Sequence, residues 1–398
     1  MKKIISFFIM FLLIISLLTS CWSSKELNEI AIVSAIGIDK TEDGYLVSVQ
    51  IVNPGEIAGK TATGRTEVIR FMKTGDTLMD AMRRLSTDVP RRIYVAHLRN
   101  VVFGEELAKE GIGKVLDVLS RHHEMRSDFF LTVAKGSKAS DILNVQTALE
   151  KSPATKLSNA LETADKRWAP TKSVTVDELI TSIVSKGKEP VLTGVHVYGN
   201  PESGSSFTNV QNVSPKTGLK IDTIGVFKND KLIGWLNEEE SKGFNYITDN
   251  VKSTAVTFPC EDGKITISTI RSKTKVKGKM ENGNPKISIQ VTTEGDVGEV
   301  ACEFDLSKPE KIKQLNKKYQ NWIKERIELA IKTVQEEYQS DIFGFGEVIH
   351  RADPKAWKRL QKNWDQEFAK LEVTVNVKAE IRRLGTITES FQKEIEEK

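Results

Sequence analysis

Cysteine is nearly absent from this 398-residue chain, which has three, at positions 21, 260 and 302. That count excludes a disulfide-dense scaffold and a multi-cysteine metal ribbon. Charge of one sign is lacking as well. The 58 basic side chains face 54 acidic ones, a formal net of +4, and Lys2 and Lys3 carry part of that excess. The charges are spread along the chain, so nothing points to nucleic acid. Long hydrophobic runs are missing beyond the first twenty residues. Ile30 to Ile38 and Ile93 to Phe103 are interrupted by Ser, His, Arg or Asn and are far below the roughly 20 apolar residues a membrane span needs. Catalytic signatures are missing too. The chain has no Gly-x-Ser-x-Gly elbow, no phosphate-cradling Gly-rich loop with Lys-Ser/Thr and no His-Glu-x-x-His. A glycosidase needs two placed carboxylates, and no acid pair stands out from the solvated background. The expectation is a protein that is not an enzyme and carries no cofactor or bound metal.

What is present begins at the N-terminus. Lys2 and Lys3 precede an almost unbroken apolar run from Ile4 to Leu18, and Leu18-Thr19-Ser20-Cys21 closes it. This is the three-part layout of a secretory leader. The small residues before a cysteine resemble a bacterial lipobox, which implies a diacylglycerol on the Cys21 thiol and cleavage just before it. An ordinary secretory leader, or an uncleaved anchor helix, would explain the apolar run but leave the cysteine to chance. Two acyl chains hold a protein stably on a bilayer where one does not. Only Trp22-Ser23-Ser24 follow before Lys25 and an apolar strand pattern. Three or four extended residues reach roughly 10–14 Å, so the body should lie close to the membrane, with Trp22 at headgroup depth.

The rest reads as alternating strands and helices. Ala31 to Asp39 and Tyr45 to Val52 form a hairpin pattern, followed by a strand at Thr66 to Met72 and a helix at Asp76 to Ser86 capped by Asp76. A strand at Arg92 to Phe103, a helix at Glu105 to His122 and a strand at Asp128 to Ala134 continue a mixed α/β region. Residues 199–218 are dense in Gly, Asn, Ser and Pro, the composition of a linker. Beyond them, Ile221 to Lys228 and Lys231 to Leu236 form a hairpin around Asn229-Asp230. Two long alternating stretches and a helix from Pro309 follow. Its apolar face runs through Leu315, Tyr319, Trp322, Ile323 and Ile327. Trp357, Leu360, Trp364, Phe368 and Leu371 form a second helical face, a stripe expected in the core. The final strand alternates Val373, Val375, Val377, Ala379 and Ile381 with polar residues, as a sheet with one solvated face requires.

The fold class expected is α+β: multi-domain, with mixed or antiparallel sheets, helices packed on them, and a lipid-anchored soluble body. The boundaries are a signal peptide at 1–20, an N-terminal mixed α/β region at 21–200 with room for two subdomains, a linker at 201–218, a C-terminal α+β domain at 219–392 and a charged tail at 393–398. Cys260 and Cys302 lie in strand-like segments, and two readings stand open, a disulfide or two buried thiols.

Several segments together resemble the Ger(x)C family of bacterial spore germination lipoproteins. They are Cys21-Trp22 through Glu26-Leu27-Asn28-Glu29 into Ile36-Gly37-Ile38-Asp39; His97-Leu98 ahead of Val102 to Leu107 and Gly111; Lys231-Leu232-Ile233-Gly234-Trp235-Leu236; Ser340-Asp341-Ile342-Phe343-Gly344-Phe345-Gly346; and Trp357 to Trp364 with Phe368. Ser23-Ser24 stand where family members often carry charged residues. The resemblance implies the C subunit of a nutrient germinant receptor, lipid-anchored on the outer face of the inner spore membrane, with three mixed α/β domains. It also implies an A subunit with soluble domains and a transporter-like B subunit as membrane partners. A scaffold or coupling role in germination is the reading this favours. The alternative is a lipid-anchored solute-binding protein that captures the nutrient directly.

Other residues invite sharper readings. His122-His123-Glu124 looks like a metal site, but adjacent helical residues point about 100° apart, and solvated helix-end groups are expected. His97 is expected to be a hydrogen-bonded structural histidine. Asp341 and its Phe-Gly-Phe-Gly loop form either a recognition surface or, as favoured, a structural turn in which the glycines take positive φ and the phenylalanines plug the core.

Overall fold

The computed structural model describes residues 4–5, 7–8, 26, 28–58, 66–150, 152–260, 263–302 and 304–384. Most of the leader, Cys21, Trp22 and the charged tail lie outside the described residues. Two sheets organise the chain. The larger has nine strands: β1 (Ile30–Thr41), β2 (Gly44–Val52), β3 (Val68–Gly75), β4 (Arg92–Tyr94), β5 (Asn100–Gly104), β6 (Phe130–Ala134), β7 (Val191–Tyr198), β8 (Gly218–Lys228) and β9 (Lys231–Trp235). Their order is β3-β2-β1-β5-β6-β7-β8-β9, with the short β4 paired to β1. The smaller sheet runs β10 (Thr254–Cys260), β11 (Gly263–Glu281), β12 (Asn284–Val300) and β13 (Glu372–Arg383).

The central strands of the large sheet pair in parallel, and their connections carry helices that cover both faces. Parallel strands need such crossovers and are buried on both sides. Hence Val101, Val102 and Phe103 are all fully buried, and β5 reads as a continuous apolar run rather than an alternation. The expected strand at Arg92 to Phe103 divides around a turn into β4 and β5, and His97 sits exposed in that turn, edge-on to Tyr94. The expected helix at Glu105 to His122 also divides. Gly111 takes φ +136° and its N–H bonds Leu107 O, ending one helix (Glu105–Glu110) before the next (Gly113–Arg121) begins. His122 and His123 lie past that second helix and stack on each other. Thr77, not Asp76, caps the Leu78–Arg84 helix, its hydroxyl accepting from Asp80 N.

The segment expected as a linker, 201–218, is a correction. It forms two short helices, Pro201–Gly204 and Phe207–Gln211. Asn209 pins it by a reciprocal pair of hydrogen bonds with the Thr217 backbone. The strands on either side, β7 and β8, pair antiparallel through Val191–Val226 to Tyr198–Gly218. The large sheet therefore continues across the segment. Gly, Asn and Ser serve its capped turns, which is why composition alone reads as a linker.

The smaller sheet is covered on one face. Ile265, Ile267, Ile287, Ile289, Val291, Val375 and Ala379 point to the helix side and are buried. The long helix (Pro309–Thr333) buries Leu315, Tyr319, Trp322, Ile323, Ile327, Ala330 and Ile331, the face its periodicity predicts. Each such large apolar side chain contributes about 1.5–3 kcal/mol on burial. β13 pairs in parallel with β12, which makes this sheet mixed. The chain crosses over through the helices between Pro309 and Ala369 and re-enters from the end where β12 began. The Trp357–Phe368 stripe is buried, although a short 3₁₀ turn at Gln361–Asn363 interrupts it.

β8 joins the two halves. Its Ile224 and Val226 belong to the core under the small sheet, while Phe227 belongs to the core of the large one.

Cys260 ends β10 and Cys302 follows β12, the two strands that flank β11. The chain after β12 crosses over Gly263 so closely that a Cβ there would overlap Ala301 O. That crossing brings the two cysteines to a Cα–Cα distance of 6.4 Å, inside the range a disulfide spans. The expected outcome is that mass spectrometry of the unreduced protein finds no alkylatable thiol at either position. Cys302→Ser should lower unfolding stability by about 2–4 kcal/mol. Two freely alkylated thiols in the native protein would remove the bridge.

Candidate functional site: the Asp341 junction

The loop Ser340–Gly346 lies where the two halves meet, and a buried carboxylate organises it. Asp341 is 1% exposed. It accepts hydrogen bonds from the backbone N–H groups of Gly344 (2.9 Å), Phe345 (3.1 Å) and Gly346 (2.7 Å), and from the indole N–H of Trp364 (2.9 Å). Gly344 takes φ +78°, which lets the loop turn back onto the carboxylate. Three donors open the Phe345–Ala352 helix, whose first amides would otherwise be unsatisfied. Phe343, Phe345 and Phe368 pack on one another beneath the loop with centroids 5.1–6.3 Å apart. The structural reading of this motif is the one the geometry supports.

Gly346 differs from the expectation. Its role is close approach, not positive φ. A Cβ there would come within 2.6 Å of Gly187 Cα and 2.7 Å of the Trp357 ring. Around that contact, Glu347 N–H donates to Gly187 O (3.2 Å), Glu189 N–H to Asp341 O (2.8 Å), and the Ser185 hydroxyl to the Glu347 carboxylate (2.8 Å). The Ser340 hydroxyl donates to Phe227 O (2.6 Å), and Lys228 pairs with Asp365 (2.7 Å). One seven-residue loop thus clamps β8 and the segment that enters β7. Sequence reasoning found Asp341 but missed Gly187 and Glu189. Gly187 has no local signal, because its requirement arises from a chain segment about 160 residues away.

The remaining motif residues do comparable work. Asp39, buried at the end of β1, accepts from Ala139 N (2.7 Å) and Ser140 N (2.9 Å) and so caps the Ala139–Ile142 helix. A Cβ on Gly104 would overlap the Asp39 carboxylate. Trp235 donates its indole N–H to Glu105 (3.1 Å) and lies between Gly194, Gly225 and the Lys135 ammonium. Tyr338, in the turn after the long helix, donates to Trp235 O (3.1 Å) and packs on Gly234. Every motif position described here joins segments distant in sequence. Among the described residues, no group of three or more His, Cys, Asp or Glu side chains could hold a metal ion. No described helix is long and apolar enough to cross a membrane.

The junction is electrostatically loaded. Burial pushes the Asp341 carboxyl up to about 6 despite its four donors. Burial likewise pushes Glu189 up to about 7, against the Asn229 N–H it accepts and with the Asp365 and Asp341 charges adding to the rise. Both folded-state values lie above the ordinary carboxyl range. The cost of their charge is therefore fully present above about pH 7 and is relieved as pH falls towards the unfolded values.

Two outcomes follow from this geometry. Asp341→Asn keeps the shape but turns an amide NH₂ towards Gly346 N–H or Trp364 N–H, leaving buried donors unpaired. It should cost about 2–5 kcal/mol in denaturant unfolding; a loss under about 1 kcal/mol would show that the loop does not depend on the carboxylate. Glu189→Gln should gain melting temperature relative to the parent as pH rises from about 5 to about 8. Parallel pH profiles would remove Glu189 from the pH dependence.

Comparison with known proteins accords with this architecture. Residues 23–197 match the family model described as "Spore germination protein N-terminal domain", and residues 222–385 match "Spore germination B3/ GerAC like, C-terminal". The chain is 32% identical over 388 residues to spore germination protein KC of Bacillus subtilis (strain 168), covering 95% of each chain. It is 25% identical over 399 residues to spore germination protein B3 of the same organism, covering 97% of this chain and all of the other. The crystal structure of the GerBC protein shares the fold, with a TM-score of 0.53 at 19% identity over 87% of this chain and 96% of that one. Two matched family models spanning both sheets, and a relative of this identity along nearly the whole length, place the chain in the Ger(x)C family of spore germination proteins.

Proposed function

We propose that this protein is the lipid-anchored C subunit of a nutrient germinant receptor, acting on the outer face of the inner spore membrane as a non-enzymatic scaffold that couples its membrane partners. The observation that carries this reading is a coincidence within one chain. A leader ending in Leu18-Thr19-Ser20-Cys21 precedes a body similar over its whole length to spore germination proteins. The partners on this reading are the receptor's A and B membrane subunits. The short stretch between Cys21 and β1 leaves little slack, so the large sheet would face the bilayer and whatever is embedded in it. The motif residues supply internal bracing and no catalytic constellation, which suits a coupling subunit.

Cys21→Ala tests the anchor and the role together. The variant should leave the membrane fraction and germinate poorly while its circular dichroism and melting match the parent protein's. Normal germination by a non-lipidated variant at normal abundance would overturn the anchored-subunit reading. Crosslink mapping in detergent-solubilised spore membranes should then find contacts from this chain to two membrane proteins.

A further inference from the structure

The segments that lead into β1, β4, β5 and β6 arrive at one end of the large sheet, because these strands pair in parallel. Arg92 opens β4 beside Ile30, and its N–H donates to Glu29 O (3.0 Å). A groove of about 230 Å³ lies there. The Leu78–Arg84 helix brings Met79, Met82 and Arg83 to it, and β4 brings Arg92 and Ile93. The stacked rings of His122 and His123 reach it from the end of the Gly113–Arg121 helix. Its floor is apolar and its rim is basic. Met79 is 37% exposed, on a helix that buries Leu78 and Ala81. Arg83 and Arg91 are exposed, and neither makes an ion pair among the described residues.

The acids nearby leave this rim positive. Glu124, the carboxylate on the groove, is taken by Arg92. Asp80 is paired with Arg84, Asp88 with Lys73, Asp117 with Arg121 and Asp128 with Arg126. What remains at this end is exposed Arg83, Arg91 and Arg99 against exposed Glu29, with Lys25 and Glu26 equal and opposite before it. Glu29 stands eight residues after Cys21, a span of at most about 26–29 Å of extended chain. The groove is therefore held within that reach of the position assigned to the lipid. Guanidinium forks match phosphate oxygens, and flexible methionine side chains adapt to an irregular apolar boundary. An anionic membrane surface attracts each arginine brought close to it.

We propose that this groove is the face on which the protein lies against the bilayer, with Arg83 and Arg91 on anionic lipid headgroups and Met79 turned to the membrane. The proposal rests on the anchored-subunit reading and deepens it. A lipid on Cys21 sets only a distance, whereas this contact sets the orientation of the large sheet over the membrane.

The experiment uses the purified full chain in lipid nanodiscs, with hydroxyl-radical oxidation of methionines read by mass spectrometry. Met72 is the internal control. It is 39% exposed, and it lies on β3 two residues from Arg70, which reaches Ser140 on the other face of the sheet. In discs of phosphatidylglycerol and phosphatidylcholine in roughly equal parts, Met79 oxidation relative to Met72 should fall at least about threefold below its level in pure phosphatidylcholine. Salt at about 1 M, where screening acts within about 3 Å, should restore it. Arg83→Gln combined with Arg91→Gln should restore it as well, with melting unchanged. Equal Met79 oxidation in the two discs, or protection that survives the double substitution, would overturn the proposal. Protection that needs the receptor's membrane subunits and is absent in anionic discs would assign the groove to a protein and overturn it too. The mass of the purified chain tests the anchor separately. An unmodified Cys21 would overturn the anchored-subunit reading and this one with it, whereas a lipidated chain without the Met79 effect overturns this one alone.

Discussion

The carboxylate of Asp341 is the constraint on which the arrangement of the two halves depends. A buried charge is costly unless every lone pair is used, and here four N–H groups from three successive residues and one distant tryptophan use them. That requirement fixes where the Phe345–Ala352 helix starts and how Trp364 is turned. It also fixes how close Gly346 comes to Gly187. Once those are set, the loop carbonyl and hydroxyl reach Glu189 and Phe227 without further adjustment. Replacing such a network with apolar side chains would restore burial but would lose the directionality that holds the loop in one register.

The first half uses the same device at smaller scale. Asp39 ends an apolar strand and satisfies the opening amides of the Ala139–Ile142 helix, with Gly104 making room. Burial raises the Asp39 carboxyl above its ordinary value, as it does for Asp341. In both places an aspartate and a glycine distant in sequence form one joint. The joint is polar in its bonding and apolar in its surroundings, so it tolerates little displacement.

Much of the fold was legible because it is periodic. The long helix face from Leu315 to Ile327 and the alternation of Val373 to Ile381 appear in the structure as the residues themselves dictate. Asp341 was legible as a turn residue between glycines. What was not legible depends on partners far away in the chain. Gly187 looks like any loop glycine until Gly346 is packed against it, and the residues 201–218 look like a linker until β7 and β8 are seen to pair across them. The parallel return of β13 was also hidden, since a one-sided strand alternates in the same way whichever direction its neighbour runs.

The shared strand β8 decides what kind of body this is. A two-domain protein joined by a flexible linker absorbs a push at one end by bending at the hinge. Here the sheet continues through the segment where a hinge would lie, and β8 gives side chains to the cores of both halves. Bending the halves apart would strip Ile224 and Val226 from the packing around them and expose the donors held by Asp341. Each such event costs on the order of kcal/mol. Displacement at the N-terminal end of the large sheet is therefore carried to the far sheet as rigid-body movement. The coupling role we propose needs that property, and a hinged solute-binding protein, which must open and close, does not.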